Sequence, residues 1–178
     1  MSAEEKRIVV ERFGEQKVAC IVLNRPTKHN ALDLEMIEQW MAALEDLRTD
    51  DSVRVVVTRA NGPSFGSGLD LYYLRSLSNV PSPDWERATL PRLLADRIRE
   101  YPKVTIAQVH GYCLGHALVN MCSHDLVFAA DNAKIGSCMS IRMRSKRSRV
   151  AMSTPTWPFS APATLKPTSS STSRTSSR

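Results

Sequence analysis

Two apolar runs rich in β-branched residues open the chain, and a helical pattern follows them. The runs cover residues 7–13 (RIVVERF) and 17–23 (KVACIVL), and residues 14–16 (GEQ) between them predict a hairpin turn. Apolar residues then fall at positions 37, 40, 41, 44 and 47, which is helical spacing and predicts a core-facing stripe. We therefore expect two strands and then a helix, with Asn30 or Asp33 capping the start of the helix.

Predicted strands and helices continue to alternate up to residue 130. A glycine-rich loop at 61–68 and a proline-rich breaker at 80–83 separate some of them. The alternation favours an α/β fold with helices packed on sheets. The predicted strands cover 53–58, 103–109 and 125–130. The predicted helices cover 69–77 and 116–123, and a further helix has its first turn directly after Pro91 and carries Leu93, Leu94, Ile98 and Tyr101.

Charge divides the chain into two parts. Residues 1–131 carry 15 Lys/Arg and all 18 Asp/Glu, a net charge of −3, whereas residues 132–178 carry 9 Lys/Arg and no acid, a net charge of +9. The stretch 142–149 (RMRSKRSR) is basic, and Ser, Thr and Pro dominate beyond it. Such a segment buries too little apolar surface to offset its ordering entropy. We predict a core domain at 1–141 and a disordered basic tail at 142–178.

Composition restricts the class of protein. A chain of 178 residues suits one domain with a real core. No apolar run approaches the roughly 18–20 residues that span a bilayer, and the charged N-terminus carries no export signal, so no membrane partner is expected. The four cysteines form no C-x-x-C pair, which favours reduced thiols in an intracellular compartment over a zinc or redox site.

Two glycine-rich loops, residues 62–71 and 110–117, each follow a predicted strand and precede a helix. Glycine allows the backbone to approach a ligand closely, and a helix that starts after such a loop has free N–H groups. Two loops of this kind would provide two converging donors, which is an oxyanion hole. Spacing alone equally allows two ordinary strand-to-helix turns.

Three ordered motifs carry a resemblance to a known family. Residues 23–26 (LNRP) with 30–32 (NAL) resemble the opening motif of the crotonase, or enoyl-CoA hydratase/isomerase, superfamily. Residues 64–71 (SFGSGLDL) resemble its first oxyanion loop, and 109–115, followed by 125–130, its second. The resemblance covers residues 7–136 and implies an α/β fold of the ClpP/crotonase type, a ββα spiral core that is truncated here.

The resemblance also implies a site and a ligand. The backbone N–H groups of Leu69 and His116 would hold the thioester oxygen of an acyl-CoA, whose coenzyme A is part of the substrate. No separate cofactor and no metal are implied. The residues that would line the coenzyme A site are Lys28, His29, Ala31, Phe65, Ser67, Asp70 and Leu71.

The acid/base residues of the family are replaced in this chain. Hydratases of the family use a glutamate at the position of Val119, and a second glutamate lies just beyond the strand at 125–130. The isomerases need only the second. Residues 123–125 (SHD) and 139–140 (MS) look similar to the peroxisomal isomerases, where a glutamate follows directly, but Ile141 stands there. A truncated or frame-shifted gene, or an alternative transcript, would explain this loss and the change in composition together.

We therefore expect an acyl-CoA-binding protein related to enoyl-CoA isomerases of fatty acid β-oxidation. The alternatives are an enoyl-CoA hydratase-type lyase and a non-catalytic fragment or interaction module. Family membership implies a homo-oligomer of the trimer type, and a location in the peroxisome or cytoplasm.

Three other interpretations of the sequence are weaker. The G-x-S-x-G pattern at 62–66 matches a serine hydrolase elbow, but too little chain precedes it. The residues His110, His116 and His124 have no spacing typical of metal ligands, although the His116 side chain could face a thioester. The basic stretch 142–149 lacks the aromatic residues of a nucleic-acid surface, so nucleic acid is not an expected partner.

Overall fold

The structure is a computed structural model, and it describes residues 6–78 and 85–137. The predicted breaker at 80–83, the tail at 142–178 and Ile141 lie outside these residues, so those interpretations stay predictions. The described elements are β1 (Ile8–Phe13), β2 (Val18–Leu23), α1 (Leu34–Thr49), β3 (Val55–Ala60), β4 (Ser64–Gly66), α2 (Leu71–Ser78), α3 (Trp85–Arg99), β5 (Val104–Val109), β6 (Tyr112–Leu114), α4 (His116–Cys122), β7 (Leu126–Ala129) and β8 (Lys134–Gly136).

The N-terminal hairpin and the first helix form as predicted. Strands β1 and β2 pair antiparallel around a short 3-10 turn. The carboxylate of Asp33 caps α1 by accepting a hydrogen bond from the N–H of Met36 at 3.0 Å, so Asp33 and not Asn30 is the cap. Trp40 and Leu44 are buried and Met41 packs beside them, which confirms that this stripe is core.

A five-stranded sheet forms the frame of the described chain, with the strand order β1-β2-β3-β5-β7. From β2 onward the pairing is parallel, and the strands are joined through helices, as in α/β folds generally. The main core contains the buried face of α1 and residues of α3. The mixed α/β class predicted from the alternating pattern is confirmed.

The opposite face of this sheet is partly open. Its centre holds a second apolar cluster that includes Val57, while Leu126 and Phe128 on the edge strand β7 are 50% and 36% exposed. Register pairs Ile106 with Leu126, and Val104, two residues before Ile106 on the same face of β5, is 47% exposed. We refer to Val104, Leu126 and Phe128 as the open-face triad.

A second, smaller sheet was not predicted from the sequence. It consists of β4, β6 and β8, in the order β4-β6-β8, and all its pairs are parallel. Each strand has three residues, and β4 and β6 lie inside the two glycine-rich loops. The loops are therefore held in a common sheet rather than projecting freely.

The prediction that a helix begins after Pro91 is wrong. Helix α3 starts at Trp85 and contains Pro91 in its second turn. Leu90, before the proline, packs against the core, and Leu94 and Ile98 after it are buried. Burial on both sides of the proline offsets the backbone hydrogen bond that its missing N–H forfeits. Across residues 6–78 and 85–137, every helix is too short or too polar to cross a bilayer.

Candidate functional site

Asn30 organises the segment between β2 and α1. It is 1% exposed and has a left-handed backbone, with φ of 52°. Its side-chain oxygen accepts a hydrogen bond from the N–H of Arg25 at 2.8 Å. Its amide nitrogen donates to the carbonyl oxygens of Asn61 at 2.9 Å and Ser64 at 2.7 Å. One buried side chain thus fixes residues 25–30 against the loop that follows β3.

An ion-pair network ties the same segment to helix α2. The guanidinium of Arg25 donates to Asp70 at 2.7 Å and to the Ala31 carbonyl at 3.0 Å, and it lies 3.3 Å from Asp33. Asp70 also caps α2, accepting from the N–H of Tyr72 at 2.8 Å. Burial acts to raise the pKa of the Asp70 carboxyl, but these hydrogen bonds outweigh it and the pKa lies below its usual value. Asp70 is therefore an ionised structural partner of Arg25.

The first glycine-rich loop runs alongside residues 29–32. The N–H of Leu32 donates to the Gly68 carbonyl at 2.8 Å, and the N–H of Asp70 donates back to the Leu32 carbonyl at 2.8 Å. The N–H of Ser67 donates to the His29 carbonyl at 3.0 Å. The structure therefore brings together the two segments that hold the expected ligand-lining residues, Lys28, His29, Ala31, Phe65, Ser67, Asp70 and Leu71.

The second glycine-rich loop packs directly on the first. Gly68 has φ of 100°, and a Cβ there would lie 3.2 Å from the Leu114 carbonyl oxygen and 3.3 Å from the His116 backbone nitrogen. A Cβ on Gly111 would lie 1.9 Å from the Pro63 carbonyl oxygen, so any side chain there would force the loops apart. The absence of side chains at these two positions is what lets the loops touch.

Two backbone donors meet at this contact without acceptors. The hydrogen bonds of the described residues provide no acceptor for the N–H of Leu69 or for the N–H of His116. Leu69 follows Gly68 directly, and His116 is the first residue of α4. Two neighbouring free N–H groups are the arrangement that binds an oxygen carrying negative charge. The spacing of the glycine-rich loops in the sequence is equally consistent with two ordinary strand-to-helix turns and with such a pair of donors.

The described part of the site offers no free carboxylate. Val119, on α4 one turn after His116, is 42% exposed and cannot carry a proton. Among the expected site residues, Asp70 alone has a carboxyl group, and Arg25 holds it. The other position where the resemblance places a catalytic glutamate, Ile141, is outside the described residues.

The side chains of the three histidines at 110, 116 and 124 contact different groups of the chain. The His110 ring contacts the Gly62 carbonyl at 2.8 Å, and the His116 ring contacts the carbonyl of Pro91 on α3 at 2.9 Å. His124 is buried between the hydroxyl of Thr58 and a carbonyl of α4. No cluster of His, Cys, Asp and Glu suited to a metal ion occurs in residues 6–78 and 85–137.

A histidine–serine contact joins the first loop to the segment after β2. His29 Nδ1 lies 3.0 Å from Ser64 Oγ, the serine of the G-x-S-x-G pattern. Ser64 is 0% exposed, and no described carboxylate contacts the His29 ring. The hydroxyl is inaccessible to a substrate, so the pair holds the loop in place and does not form a hydrolase nucleophile. Sequence inspection missed this contact because the two residues are 35 positions apart.

Apolar surface borders the site at helix α2. Leu71 and Tyr72 are 71% and 78% exposed, although Tyr73 beside them is buried. A cleft of about 280 Å³ lies next to this helix. The residues lining the cleft are Arg25, Asp33, Leu34, Asp70, Tyr72, Tyr73 and Ser76.

Comparison with known proteins gives a consistent family. The family model described as enoyl-CoA hydratase/isomerase matches residues 14–141. The peroxisomal enoyl-CoA delta isomerase 3 of Mus musculus is 34% identical over 133 residues, which is 73% of this chain and 40% of that protein. The 2,3-dehydroadipyl-CoA hydratase of Escherichia coli K12 is 33% identical over 129 residues, or 72% of this chain and 48% of that protein.

Solved structures agree with the sequence relatives. An enoyl-CoA hydratase/isomerase from Xanthobacter autotrophicus Py2 has a TM-score of 0.68 at 32% identity, covering 74% of this chain and 48% of that one. A crotonase-type enoyl-CoA hydratase/isomerase from Legionella pneumophila has a TM-score of 0.69 at 29% identity, covering 74% and 51%. The predicted crotonase-type fold is thereby confirmed. The chain spans about half the length of the curated relatives it matches.

Proposed function

Because this chain belongs to the enoyl-CoA hydratase/isomerase family, we propose that it binds acyl-CoA thioesters through the N–H groups of Leu69 and His116. The observation that carries the proposal is that the described residues provide no acceptor for the N–H of Leu69 or of His116. Gly68 lies so close to His116 that a Cβ on it would be 3.3 Å from the His116 nitrogen. The thioester carbonyl oxygen is the acceptor that would fill this position. Loss of an α-proton turns that carbonyl into an enolate oxygen, and each preorganised donor stabilises such charge by about 2.7–4 kcal/mol.

The coenzyme A part of the ligand would lie along the segments that run beside each other, 28–31 and 65–71. Lys28 and His29 are exposed there and carry the polar groups best placed to meet it. Phe65 is 1% exposed, so its contribution would come from its backbone. Ala31 and Ser67 are half-buried, and Leu71 adds exposed apolar surface.

The reaction that best suits this chain is migration of a double bond by α-proton chemistry through the enolate, as the names of the delta isomerase relatives suggest. Hydration by the hydratase route needs the carboxylate that Val119 lacks. General acid–base assistance is typically worth 10²–10⁴ in rate, so we propose weak acyl-CoA binding with slow turnover or none. A non-catalytic role for the chain is the alternative that complete inactivity would favour.

Binding and turnover are tested separately. Acetoacetyl-CoA forms an enolate without help from a catalytic base, so its enolate absorption reports the two donors alone. We expect the purified chain to bind acetoacetyl-CoA more tightly than free coenzyme A and to enhance the enolate band. Equal affinity for the two ligands, with no change in the band, contradicts the proposal.

Turnover is measured as 3-enoyl-CoA isomerisation and 2-enoyl-CoA hydration. We expect Ile141→Glu to raise the isomerase rate above that of the unaltered chain, and Val119→Glu alone to leave hydration low because hydration uses two carboxylates. Family-like turnover by the unaltered chain shows that the base has been assigned to the wrong position.

The compartment and the assembly are proposed on the same grounds. Relatives from Mus musculus and Arabidopsis thaliana are peroxisomal by name, which supports a peroxisomal or cytoplasmic location. Imaging of a fluorescent fusion beside a peroxisomal marker tests this. A trimer-type homo-oligomer is tested by light scattering on the purified chain.

A further inference from the structure

A side-chain contact that the proposed function does not use joins helices α3 and α4. Pro91 sits inside helix α3, where proline is disfavoured, and His116 opens helix α4. His116 Nε2 lies 2.9 Å from the Pro91 carbonyl oxygen. A carbonyl oxygen can only accept, so Nε2 carries the hydrogen and donates it to Pro91.

The acceptor of this hydrogen bond, the Pro91 carbonyl, lies on a part of α3 that is held rigidly in the core. Pro91 is buried, and the next turn of α3 is anchored in the core by Leu94, Ala95 and Ile98, each at most 2% exposed. The proline ring also fixes the φ angle of its own residue near −65°. The Pro91 carbonyl is therefore a fixed point to which the start of α4 is attached.

The imidazole donor belongs to His116, whose backbone nitrogen lies beside Gly68 in the first glycine-rich loop. The imidazole and the N–H of His116 share one Cα, so a side chain held by α3 restricts the direction of the N–H. Gly115 before it has φ of 56°, its N–H donates to the Gly136 carbonyl at 3.2 Å, and its carbonyl accepts from the N–H of Leu118 at 3.1 Å. The bond from the His116 ring to Pro91 adds a restraint from α3 on the residue that carries the second donor.

We propose that the His116 imidazole is a positioning group that aligns the His116 N–H with the N–H of Leu69. This inference rests on the proposed binding of acyl-CoA at the two donors. The side chain acts through its own backbone and does not touch the ligand. It therefore governs how well the site holds a developing oxyanion and has little influence on the coenzyme A portion.

The test compares two side chains of similar length at position 116. Glutamine in His116→Gln can donate to the Pro91 carbonyl, whereas methionine in His116→Met cannot. The readouts are the dissociation constants for acetoacetyl-CoA and for free coenzyme A, and the enolate absorption of bound acetoacetyl-CoA. Cys122→Ala, an exposed change on the same helix, is the control.

We expect His116→Met to reduce the preference for acetoacetyl-CoA over coenzyme A by about tenfold, the scale of one lost hydrogen bond. Its enolate band should fall with that preference, while coenzyme A binding changes less than about twofold. His116→Gln should retain clearly more of the preference than His116→Met, and Cys122→Ala should match the unaltered chain. Equal preferences in His116→Met and His116→Gln overturn the inference.

The failure of the proposed function looks different, because then the unaltered chain itself shows no preference for acetoacetyl-CoA. If the variants do not fold, the imidazole is observed directly by ¹⁵N NMR of the unaltered chain. A hydrogen on Nε2 that exchanges slowly with water supports the tether. A hydrogen on Nδ1 alone contradicts it.

Discussion

At the scale of single residues, Asn30 shows how one buried side-chain amide can hydrogen-bond several backbone groups that do not bond to one another. Its left-handed conformation is tolerated by asparagine better than by most residues, and its side chain serves three backbone groups on two loops. A side chain without an amide removes the partner of the Arg25 N–H and of the Asn61 and Ser64 carbonyls, of which the Ser64 bond is buried. The position thus combines a conformational and a hydrogen-bonding requirement.

We predict that Asn30→Ala lowers the free energy of unfolding by about 2–4 kcal/mol, the sum of unsatisfied buried groups and a strained backbone. Urea denaturation followed by circular dichroism measures this. Asn132→Ala is the matched control, because Asn132 is exposed and its bond among the described residues is a long one, 3.4 Å, from the Gly111 N–H. Similar losses in the two variants would show that Asn30 does not hold the segment.

The Leu69 donor is tested by removing its N–H while keeping the chain connected. Leu69→Pro should weaken binding of the acetoacetyl-CoA enolate by about 10²-fold or more, given the usual value of an oxyanion donor. Leu69→Ala keeps the N–H and should bind within a few-fold of the unaltered chain. Isothermal titration gives both affinities, and equal losses would place the oxyanion away from this donor.

At the scale of elements, His124 couples the sheet to helix α4. Its ring bridges Thr58 on β3 and the carbonyl of Asn120 on α4, at 2.9 and 2.8 Å. Burial lowers the pKa of His124, although hydrogen bonds with the backbone of Asn120 and Met121 act to raise it. The folded state therefore keeps this imidazole neutral where an exposed one would accept a proton.

Stability should follow pH accordingly. The unfolded chain takes up a proton at His124 near pH 6.5, before the folded chain does, so the free energy of unfolding falls as pH drops below about 6.5. The fall continues until the lower, folded pKa is reached. We expect urea curves between about pH 7.5 and 5.5 to show less pH dependence in His124→Gln than in the unaltered chain. Identical slopes in the two proteins refute the assignment.

The long elements were predictable from the sequence because their periodicity is strong. Strand β2 is a continuous apolar run, β3 and β5 are rich in β-branched residues, and α1 shows its buried stripe at regular intervals. The small sheet was missed because three residues are too few to show a period. Pro91 misled the prediction for α3 because packing of Leu90 and Leu94 overrides a local preference.

The site was predictable only in part. The glycine-rich loops stand out in the sequence, but their meeting was indicated by family resemblance and not by spacing. The contact of His29 with Ser64 depends on a left-handed backbone at His29 and on strand pairing far away in the chain. The contact of His116 with Pro91 was equally unpredictable, since the local sequence of neither helix indicates that the two helices meet there.

At the scale of the whole molecule, the sheet face with the open-face triad distinguishes this chain from a closed domain. Val104, Leu126 and Phe128 are apolar and exposed on two neighbouring strands, and β7 is an edge strand with no charged residue in it. Exposed apolar surface beside an unprotected edge favours association with other chains. Self-association of the isolated chain is therefore expected.

We predict that Phe128→Lys raises the monomer fraction, because it places a charge on the open face. Leu93→Lys is the control, since Leu93 is similarly exposed, at 40%, but lies on α3. Size-exclusion chromatography with light scattering at several concentrations measures both. A monomeric unaltered chain, or equal effects of the two changes, would mean that this face does not mediate association.

The strand order also determines the sequence in which the strands can pair during synthesis on the ribosome. Strands β1 and β2 close a local hairpin, an event of about 1–10 μs, as soon as both have emerged. Parallel strands β3, β5 and β7 must wait for long crossovers, which slows their pairing. Leu69 leaves the ribosome dozens of residues before His116. The N–H of Leu69 is therefore exposed to water until β5 and β6 have joined their sheets. The proposed acyl-CoA site is therefore complete only after these strands have paired.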